Sequence, residues 1–458
     1  MIYITKKLPP AIKQMSLEDL LFGDGKSGGY VINDNITNTR TYEVLRVKKS
    51  LEIKQEEALR LIRRFESFNL THLKLCEENR VKQYVTFYVA KRDKGFRHVF
   101  KKIYEMQDRY IGIDTKKLFS IITKKTQQML QSHPRTMDEP LQREVARFCS
   151  DKLCESGFKM TPSDYIKIVK SSFRRIDKPN EQLMIALREL KNIFEFDFGA
   201  LYHTSAYAYI QGRQAKMALE KHQKNESRWF AKYDFTNFFG SVTEDFILNT
   251  LEKIYPFSEI LEYTAGRNEL KKAISLCVLD GVLPQGTPIS PMLTNLIMIP
   301  FDYIISNTLR DFNNQHFVYT RYADDILISS RYHFDHKLIE RYIIGVLEKE
   351  SAPLCINSEK TRYGSRAGAN WNLGIMLNKE NEITIGWRTK QKFRAMLASY
   401  IMDKSNSKAW DYSRVSRLNG YINYYRMIEG DRIDDVIKHV ESKFNVSVLD
   451  MIAQDLRV

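Results

Sequence analysis

The second half of the chain contains two short stretches in which hydrophobic and polar residues alternate, as they do in half-buried β-strands. These stretches are Gln315–Tyr322 and Ile326–Ser329, and both are rich in β-branched and aromatic residues. The pattern predicts a tight hairpin with Ala323 and Asp324 at its turn. Asp324 and its neighbour Asp325 then lie together at the tip of the hairpin.

A third apolar stretch, Trp229–Tyr233, predicts a buried strand that ends in Asp234 and is followed by aromatic residues. Phosphoryl transfer by two metal ions needs carboxylates from separate strands, so that one ion activates the attacking oxygen and the other stabilises the leaving group. Asp234 and Asp324 fit this chemistry only if their strands are neighbours. The alternative is an ordinary solvated turn, because Asp is a common turn residue.

Helical periodicity dominates both ends of the chain. Before about Asp164 the sequence predicts mostly helices, begun by caps at Asp114, Asp138 and Thr161, with a short strand near Tyr84–Ala90. After Trp387 the pattern is again helical, and one face carries Phe393, Met396, Leu397, Tyr400 and Ile401. The segment between mixes helices and strands, which predicts the α+β class.

Composition indicates a folded, basic protein. The net charge of +15 fits a polyanionic partner, although a basic protein bound to a membrane surface would satisfy it equally well. The 25 Tyr and 25 Phe interleaved with Lys and Arg favour nucleic acid, because bases stack on aromatic faces. Five cysteines without metal-ligand spacing fit a reducing cytosol, so we expect a cytoplasmic protein. The longest apolar stretch, Leu296–Ile305, is too short for a membrane span.

Between the two acidic segments lies Leu283–Asn295, in which a Pro-Gln-Gly turn opens into an apolar helix. In this order the three segments resemble the palm of reverse transcriptases: the first acid with aromatic residues after it, the Pro-Gln-Gly turn, and Tyr-x-Asp-Asp. The resemblance is greatest to bacterial enzymes of the retron and phage-defence groups, and it extends over about Arg174–Gly430. It includes a hairpin at Leu373–Leu377 similar to the primer grip, and a thumb-like helix at Arg417–Tyr425.

The resemblance implies roles for particular residues. The catalytic residues it implies are Asp234, Asp324, Asp325 and Lys360. Two Mg²⁺ ions would be held by Asp234, Asp324, Asp325 and the backbone carbonyl of Phe235. The incoming nucleotide would meet Arg174, Arg175, Phe239, Gln285 and Gly286. In this scheme Lys360 protonates the departing pyrophosphate, and Arg174 contacts the triphosphate. A solvated basic face and a lone surface lysine are the alternatives for these cations, and His222 is expected to be structural.

Phe239 follows Asp234 by five residues, where the family places an aromatic ring beneath the sugar of the incoming nucleotide. Such a ring excludes a 2′-hydroxyl and selects deoxynucleotides. Both Phe238 and Phe239 could instead be core residues. On a strand, neighbouring side chains point to opposite faces, which predicts that Phe238 is buried while Phe239 is the gate.

The resemblance implies a right-hand polymerase of class α+β, with fingers, a palm with an antiparallel sheet, and a helical thumb. We divide the chain into a mostly helical N-terminal extension (1–163), fingers and palm (164–387), and thumb (388–458). The extension is a candidate for RNA binding or for homo-oligomer formation.

The expected function is RNA-directed DNA synthesis with Mg²⁺ and dNTPs on a dedicated structured noncoding RNA, in anti-phage defence. Untemplated or tyrosine-primed DNA synthesis, a group II intron or retroelement enzyme, and a catalytically silent RNA-binding scaffold are the alternatives. The chain leaves no room after the thumb for the nuclease segment common in intron enzymes, which counts against an intron protein.

Overall fold

The computed structural model describes residues 55–90, 173–198, 202–254, 256–311, 315–366, 371 and 373–457, with six single positions between 124 and 155. Its helices, in chain order, are α1 (Gln55–Thr71), α2 (Leu73–Glu77), α3 (Glu181–Phe198), α4 (Ala215–Lys224), α5 (Phe238–Ser241), α6 (Glu244–Leu251), α7 (Phe257–Leu261), α8 (Thr264–Ser275), α9 (Ser290–Ile297), α10 (Ile299–Asp311), α11 (His336–Lys349), α12 (Trp387–Ser405), α13 (Tyr412–Glu429), α14 (Asp431–Phe444) and α15 (Val448–Asp455). Its strands are β1 (Tyr84–Ala90), β2 (Phe173–Pro179), β3 (Trp229–Asp234), β4 (Val318–Tyr322), β5 (Asp325–Ser330), β6 (Arg362–Ser365), β7 (Met376–Leu377) and β8 (Ile383–Thr384). The chain is thus helix-rich with antiparallel sheets, in agreement with the predicted α+β class.

The central sheet has four antiparallel strands in the order β4-β5-β3-β6. Alternate residues of its inner strands enter two different hydrophobic cores. Ala231 and Ile326 pack with helices on one face, whereas Phe230 and Leu327 pack with the C-terminal helices on the other. Because side chains alternate along a strand, Asp234 points to the same face of the sheet as Phe230.

The segment Gln55–Ala90 is part of the main core, although the sequence assigned it to the N-terminal extension. Strand β1 confirms the predicted strand, and it pairs antiparallel with β2 from Tyr84 opposite Pro179 onward. Phe65 and Phe68 of α1 are buried in the same hydrophobic cluster as the central sheet. A boundary after residue 163 therefore does not separate this segment from the rest. The helices predicted from Asp114, Asp138 and Thr161 lie outside the described residues.

The C-terminal part is helical, as the periodicity after Trp387 predicts. Helices α12 to α15 surround their own hydrophobic cluster, in which Phe393, Leu397, Tyr400 and Ile401 are buried. Strands β7 and β8 form a small hairpin before these helices. Among the described helices, none is sufficiently long and apolar to cross a membrane.

Candidate active site

The strands of the two predicted acidic segments are neighbours. β3 pairs antiparallel with β5 in a register that sets Asp234 directly opposite Asp325. Directly opposed residues point to the same face of a sheet, with Cβ atoms about 5 Å apart. A shared acidic site required the strands of Asp234 and Asp324 to be neighbours, and β3 and β5 meet this requirement.

Asp324 belongs to the turn of the β4–β5 hairpin, as predicted. Tyr322 pairs with Asp325, which leaves Ala323 and Asp324 as the two central residues of the turn. Ala323 has a φ of 57°, a left-handed conformation that costs a residue with a Cβ about 1–2 kcal/mol. Strand β4 begins at Val318 rather than at Gln315, because His316 also has a positive φ and lies in a turn.

The three carboxylates repel one another. Burial, followed by repulsion from Asp325 and Asp234, raises the pKa of Asp324 to about 6. Burial also raises the pKa of Asp325, against the opposing effect of the Lys232 ammonium. A site that disfavours its own negative charge in this way gains from a bound cation.

Two lysines neutralise part of this charge. The Lys232 ammonium lies 2.5 Å from Asp325 Oδ2, and the Lys360 ammonium lies 2.5 Å from Asp234 Oδ2. The loop that carries Lys360 is fixed to the end of β3, because the Asn357 amide donates to the Asp234 carbonyl at 2.7 Å. Lys360 is thus placed at the acidic site by the backbone and is not an isolated surface lysine.

The donor set fits a divalent cation in its chemistry. Carboxylate oxygens are the hard ligands that Mg²⁺ prefers, and three carboxylates meet at this edge of the sheet. In the described part of the chain, no three ligand-type side chains are already gathered closely enough to hold a metal ion. The carboxylates of Asp234 and Asp325 are turned toward lysines, so cation binding requires Lys232 and Lys360 to turn away.

The Pro-Gln-Gly turn contacts β2. The Asp177 amide donates to the Gln285 carbonyl at 2.7 Å. Gly286 has a φ of 122°, and a Cβ on it would lie 2.8 Å from Ile176 Cγ2 and 2.9 Å from the Asp177 carbonyl oxygen. Only glycine fits this close approach.

The two arginines of β2 have different surroundings. Arg175 donates to the buried carboxylate of Asp177 at 2.8 Å and lies 3.5 Å from Asp280. The neighbouring Arg174 points to the other side of the strand and is exposed. It lies within electrostatic range of Tyr209, whose phenol also senses Asp324. Arg175 is thus paired within the fold, whereas Arg174 faces solvent.

The prediction of an aromatic gate assumed that Phe238 and Phe239 are neighbours on a strand, and this assumption is wrong. β3 ends at Asp234, Asn237 adopts a left-handed conformation, and both phenylalanines lie in the short helix α5. Within that helix Phe238 is buried with 4% exposure and stacks on Phe235, whereas Phe239 is half-buried. The gate role of Phe239 stays a prediction, now based on its exposure.

His222 is structural, as expected. It is fully buried on α4, with Nδ1 2.5 Å from the Ser329 hydroxyl and Nε2 2.8 Å from the Thr320 hydroxyl. Burial, with a smaller effect of Lys221, lowers its pKa to about 3. A neutral histidine thus joins α4 to both strands of the acidic hairpin.

Sequence reasoning assigned no role to several residues that surround the site. Arg321 and Asp302 form a fully buried ion pair beneath the turn, and Tyr209 and Tyr424 are exposed aromatics near it. Burial, with a smaller effect of the Tyr322 phenol, raises the pKa of Tyr424. The sequence does contain a signal for Asp302, because this residue is an isolated acid in the apolar stretch that forms α10.

Comparison with known proteins gives a match to the family described as reverse transcriptase (RNA-dependent DNA polymerase) over residues 170–394, just under half of the chain. The chain is 26% identical over 266 residues to the retron Ec73 reverse transcriptase of Escherichia coli, covering 57% of this chain and 80% of that protein. It is 23% identical over 313 residues to the retron Ec83 reverse transcriptase of the same organism, covering 64% and 90%. A Myxococcus xanthus relative, the retron Mx65 reverse transcriptase, is 25% identical over 243 residues, covering 50% and 52%.

Solved structures similar to this chain include telomerase from Candida albicans in complex with a fragment of telomeric RNA. That match has a TM-score of 0.37 and 11% identity, and it covers 63% of this chain and 64% of that one. The match to apo telomerase from Candida tropicalis has a TM-score of 0.35 and 11% identity, covering 62% and 66%. The family match spans all three carboxylates, and several relatives share one description. These matches support a bacterial retron-type reverse transcriptase, that is, an RNA-directed DNA polymerase.

Proposed function

We propose that this enzyme is a right-hand polymerase that copies a structured noncoding RNA into DNA with Mg²⁺. The central sheet is its palm, β1 and β2 belong to its fingers, and the helices from residue 388 onward are its thumb. The observation that carries the proposal is the register of β3 and β5, which opposes Asp234 and Asp325 beside Asp324. Separate strands thereby supply the carboxylates that two-metal phosphoryl transfer needs.

Asp234, Asp324 and Asp325 would hold the metal, with the Phe235 carbonyl as a further ligand. Bound Mg²⁺ makes the primer hydroxyl more acidic and offsets the charge of the phosphates. The main-chain bonds between this strand end and the Lys360 loop use the Asp234 carbonyl and the Thr236 amide. They therefore leave the Phe235 carbonyl out of that pairing.

The remaining groups bind the nucleotide and move a proton. The primer 3′-hydroxyl would lose its proton to water as its oxygen forms a bond to the α-phosphorus, and the bond from that phosphorus to pyrophosphate would break. Lys360, which turns away from Asp234 when the cation binds, would give a proton to the departing pyrophosphate. Arg174 contacts the triphosphate, and Gln285 and Gly286 shape the nucleotide pocket from the turn against β2. Arg175 acts indirectly, because it holds Asp177.

Carboxamide variants test this assignment. Asp234→Asn and Asp324→Asn each keep the side-chain shape and remove a charge, so Mg²⁺-dependent dNTP incorporation should fall by at least about 10³-fold while the melting temperature is retained. Asp325→Asn should also lose activity, to a smaller extent. Asp245→Asn is the matched control, because Asp245 is exposed on α6 away from the sheet. Near-normal synthesis by Asp324→Asn would mean that the metal site lies elsewhere.

The RNA partner and the biological role form the second part of the proposal. Net charge +15 and similarity to retron reverse transcriptases support a dedicated RNA template, and the motif resemblance extends this to anti-phage defence. Residues 1–163 outside the described segment are proposed to bind that RNA or a second copy of the chain. Sequencing of nucleic acid that copurifies with the enzyme should give one RNA species joined to or copied into one DNA. A random population of RNAs would contradict a dedicated template.

A further inference from the structure

Beneath the acidic turn lies a guanidinium that is removed from solvent. The Arg321 side chain is 1% exposed and its partner Asp302 is fully buried. Arg321 Nε and Nη2 donate to the two oxygens of Asp302, both at 2.8 Å, in a bidentate pair. The Tyr319 hydroxyl donates to the same carboxylate at 2.5 Å. A buried ion pair is often no more stabilising than apolar residues of the same size, because both charges lose their water.

The geometry offers another reason for this pair. The third guanidinium nitrogen, Nη1, donates to Asn295 Oδ1 at 3.0 Å and to the backbone carbonyl of Ala323 at 3.1 Å. Ala323 is the turn residue with the left-handed backbone, and it immediately precedes Asp324. A conformation of this kind persists only where its surroundings fix it. Arg321 supplies that constraint from inside the protein.

The acceptors of Arg321 belong to separate elements. Asp302 lies on α10, and Asn295 lies on α9, the helix that follows the Pro-Gln-Gly turn. Only a planar guanidinium presents donors in several fixed directions at once, which a lysine ammonium does not. One side chain therefore fixes the hairpin tip relative to both helices.

The same cluster positions the segment before Tyr209. The Arg321 amide donates to the Ser205 carbonyl at 2.7 Å, and the Tyr207 amide donates to the Arg321 carbonyl at 2.9 Å. Asn295 Nδ2 donates to the Ala208 carbonyl at 2.7 Å. Tyr209 follows with a positive φ and half of its surface exposed.

We infer that Arg321 is a positioning residue for the reaction: its bond to the Ala323 carbonyl, braced by Asp302 and Asn295, sets the turn so that Asp324 and Asp325 act on the same side as Asp234. This inference depends on the proposed roles of those carboxylates. It adds that their placement is determined by a buried polar cluster and not by the hairpin alone.

The test uses two variants of the full chain. Arg321→Lys keeps a charge for Asp302 but cannot reach all three acceptors. The double variant Arg321→Met with Asp302→Leu removes both charges, so that neither is left buried without a partner. In each, kcat for dNTP incorporation should fall on the order of 10- to 100-fold, as for a small misplacement of reacting groups, while KM for dNTP changes little. Mn²⁺ binding without substrate, measured by electron paramagnetic resonance, should weaken in parallel.

Ser329→Ala is the matched control. It removes hydrogen bonds of the same hairpin at its far end, where Ser329 contacts His222 and Ser227, and leaves the tip unchanged. It should lower the melting temperature without changing kcat or Mn²⁺ binding by more than about twofold, because the effect is on stability alone. A folded double variant with unchanged kcat and Mn²⁺ binding would overturn the inference. Loss of folding in both Arg321 variants would also overturn it, because the cluster would then be a structural requirement.

The two proposals fail in different ways. If Asp324→Asn stays active, the metal site itself is misassigned. If Asp324→Asn is inactive but the Arg321 variants keep full kcat and Mn²⁺ binding, only the positioning role is wrong.

Discussion

Five charged side chains meet at one edge of the central sheet, and their balance determines what the site can do. Burial, followed by repulsion from Asp325 and Asp234, raises the pKa of Asp324 to about 6. Lys232 and Lys360 offset two of the charges. The repulsion among the carboxylates is the reason why we expect a cation to bind here, and the contact between Lys360 and Asp234 is the reason why Lys360 is proposed as the proton donor.

At the same scale, Phe239 is the residue that we expect to determine the sugar preference. Phe239→Val should admit ribonucleotides and retain part of the deoxynucleotide synthesis, because we expect the half-buried ring of Phe239 to exclude a 2′-hydroxyl. Incorporation of rNTPs and dNTPs on one primer-template measures the ratio. Phe238→Val is the control, and it should mainly reduce stability, by about 1–3 kcal/mol, because Phe238 is buried. An unchanged ratio in a folded Phe239→Val enzyme would place the gate elsewhere.

At the scale of elements, the Pro-Gln-Gly turn joins β2 to the central part of the fold. Gly286→Ala should separate them, because the added Cβ lies under 3.0 Å from both Ile176 and Asp177, at a backbone angle that favours glycine. We expect a loss of about 1–3 kcal/mol in the free energy of unfolding, and a higher KM for dNTP. Gly345→Ala in α11 is the control, since its Cβ meets nothing within 4 Å. Equal stability of the two variants would contradict this account of the turn.

Helix α4 holds the acidic hairpin through His222, which makes the hairpin sensitive to acid. The folded-state pKa is lowered from 6.5 to about 3, so only the unfolded chain binds the proton between these values. Stability from this group is therefore complete above pH 6.5 and is lost as the pH falls toward 3, at about 1.4 kcal/mol per pKa unit.

His222→Gln should reduce this acid sensitivity. The urea midpoint should change less between pH 7 and pH 5 in this variant than in the parent protein. His439→Gln, at an exposed position on α14, should leave the pH dependence unaltered. An identical pH dependence in His222→Gln and the parent would show that the histidine is not buried in its neutral form.

At the scale of the whole molecule, residues far apart in sequence share one core. Phe65 of α1 is fully buried and contacts the ring of Phe194, with centroids 5.7 Å apart. Phe65→Ala should lower the free energy of unfolding by about 3–5 kcal/mol. When the protein is heated, DNA synthesis and helicity should be lost at the same temperature. Leu70→Ala is the control on the same helix, since Leu70 is 67% exposed. Full polymerase activity after α1 has melted would show instead that this segment is a separate unit.

The sequence by itself determined the local features: the hairpin at Ala323–Asp324, the strand that ends in Asp234, the helices after Trp387, and the motif order typical of reverse transcriptases. These follow from side-chain periodicity and turn chemistry, which act over a few residues.

Only the tertiary structure decided which distant residues meet. The register of β3 with β5, the packing of Phe65 and Phe68 into the main core, and the different surroundings of Arg174 and Arg175 depend on packing between elements. The helix at Phe238 followed from a left-handed Asn237 that no periodicity indicates. The pairing of Arg321 with Asp302 joins two residues 19 positions apart, and each appears as an ordinary charge until the fold excludes water from both.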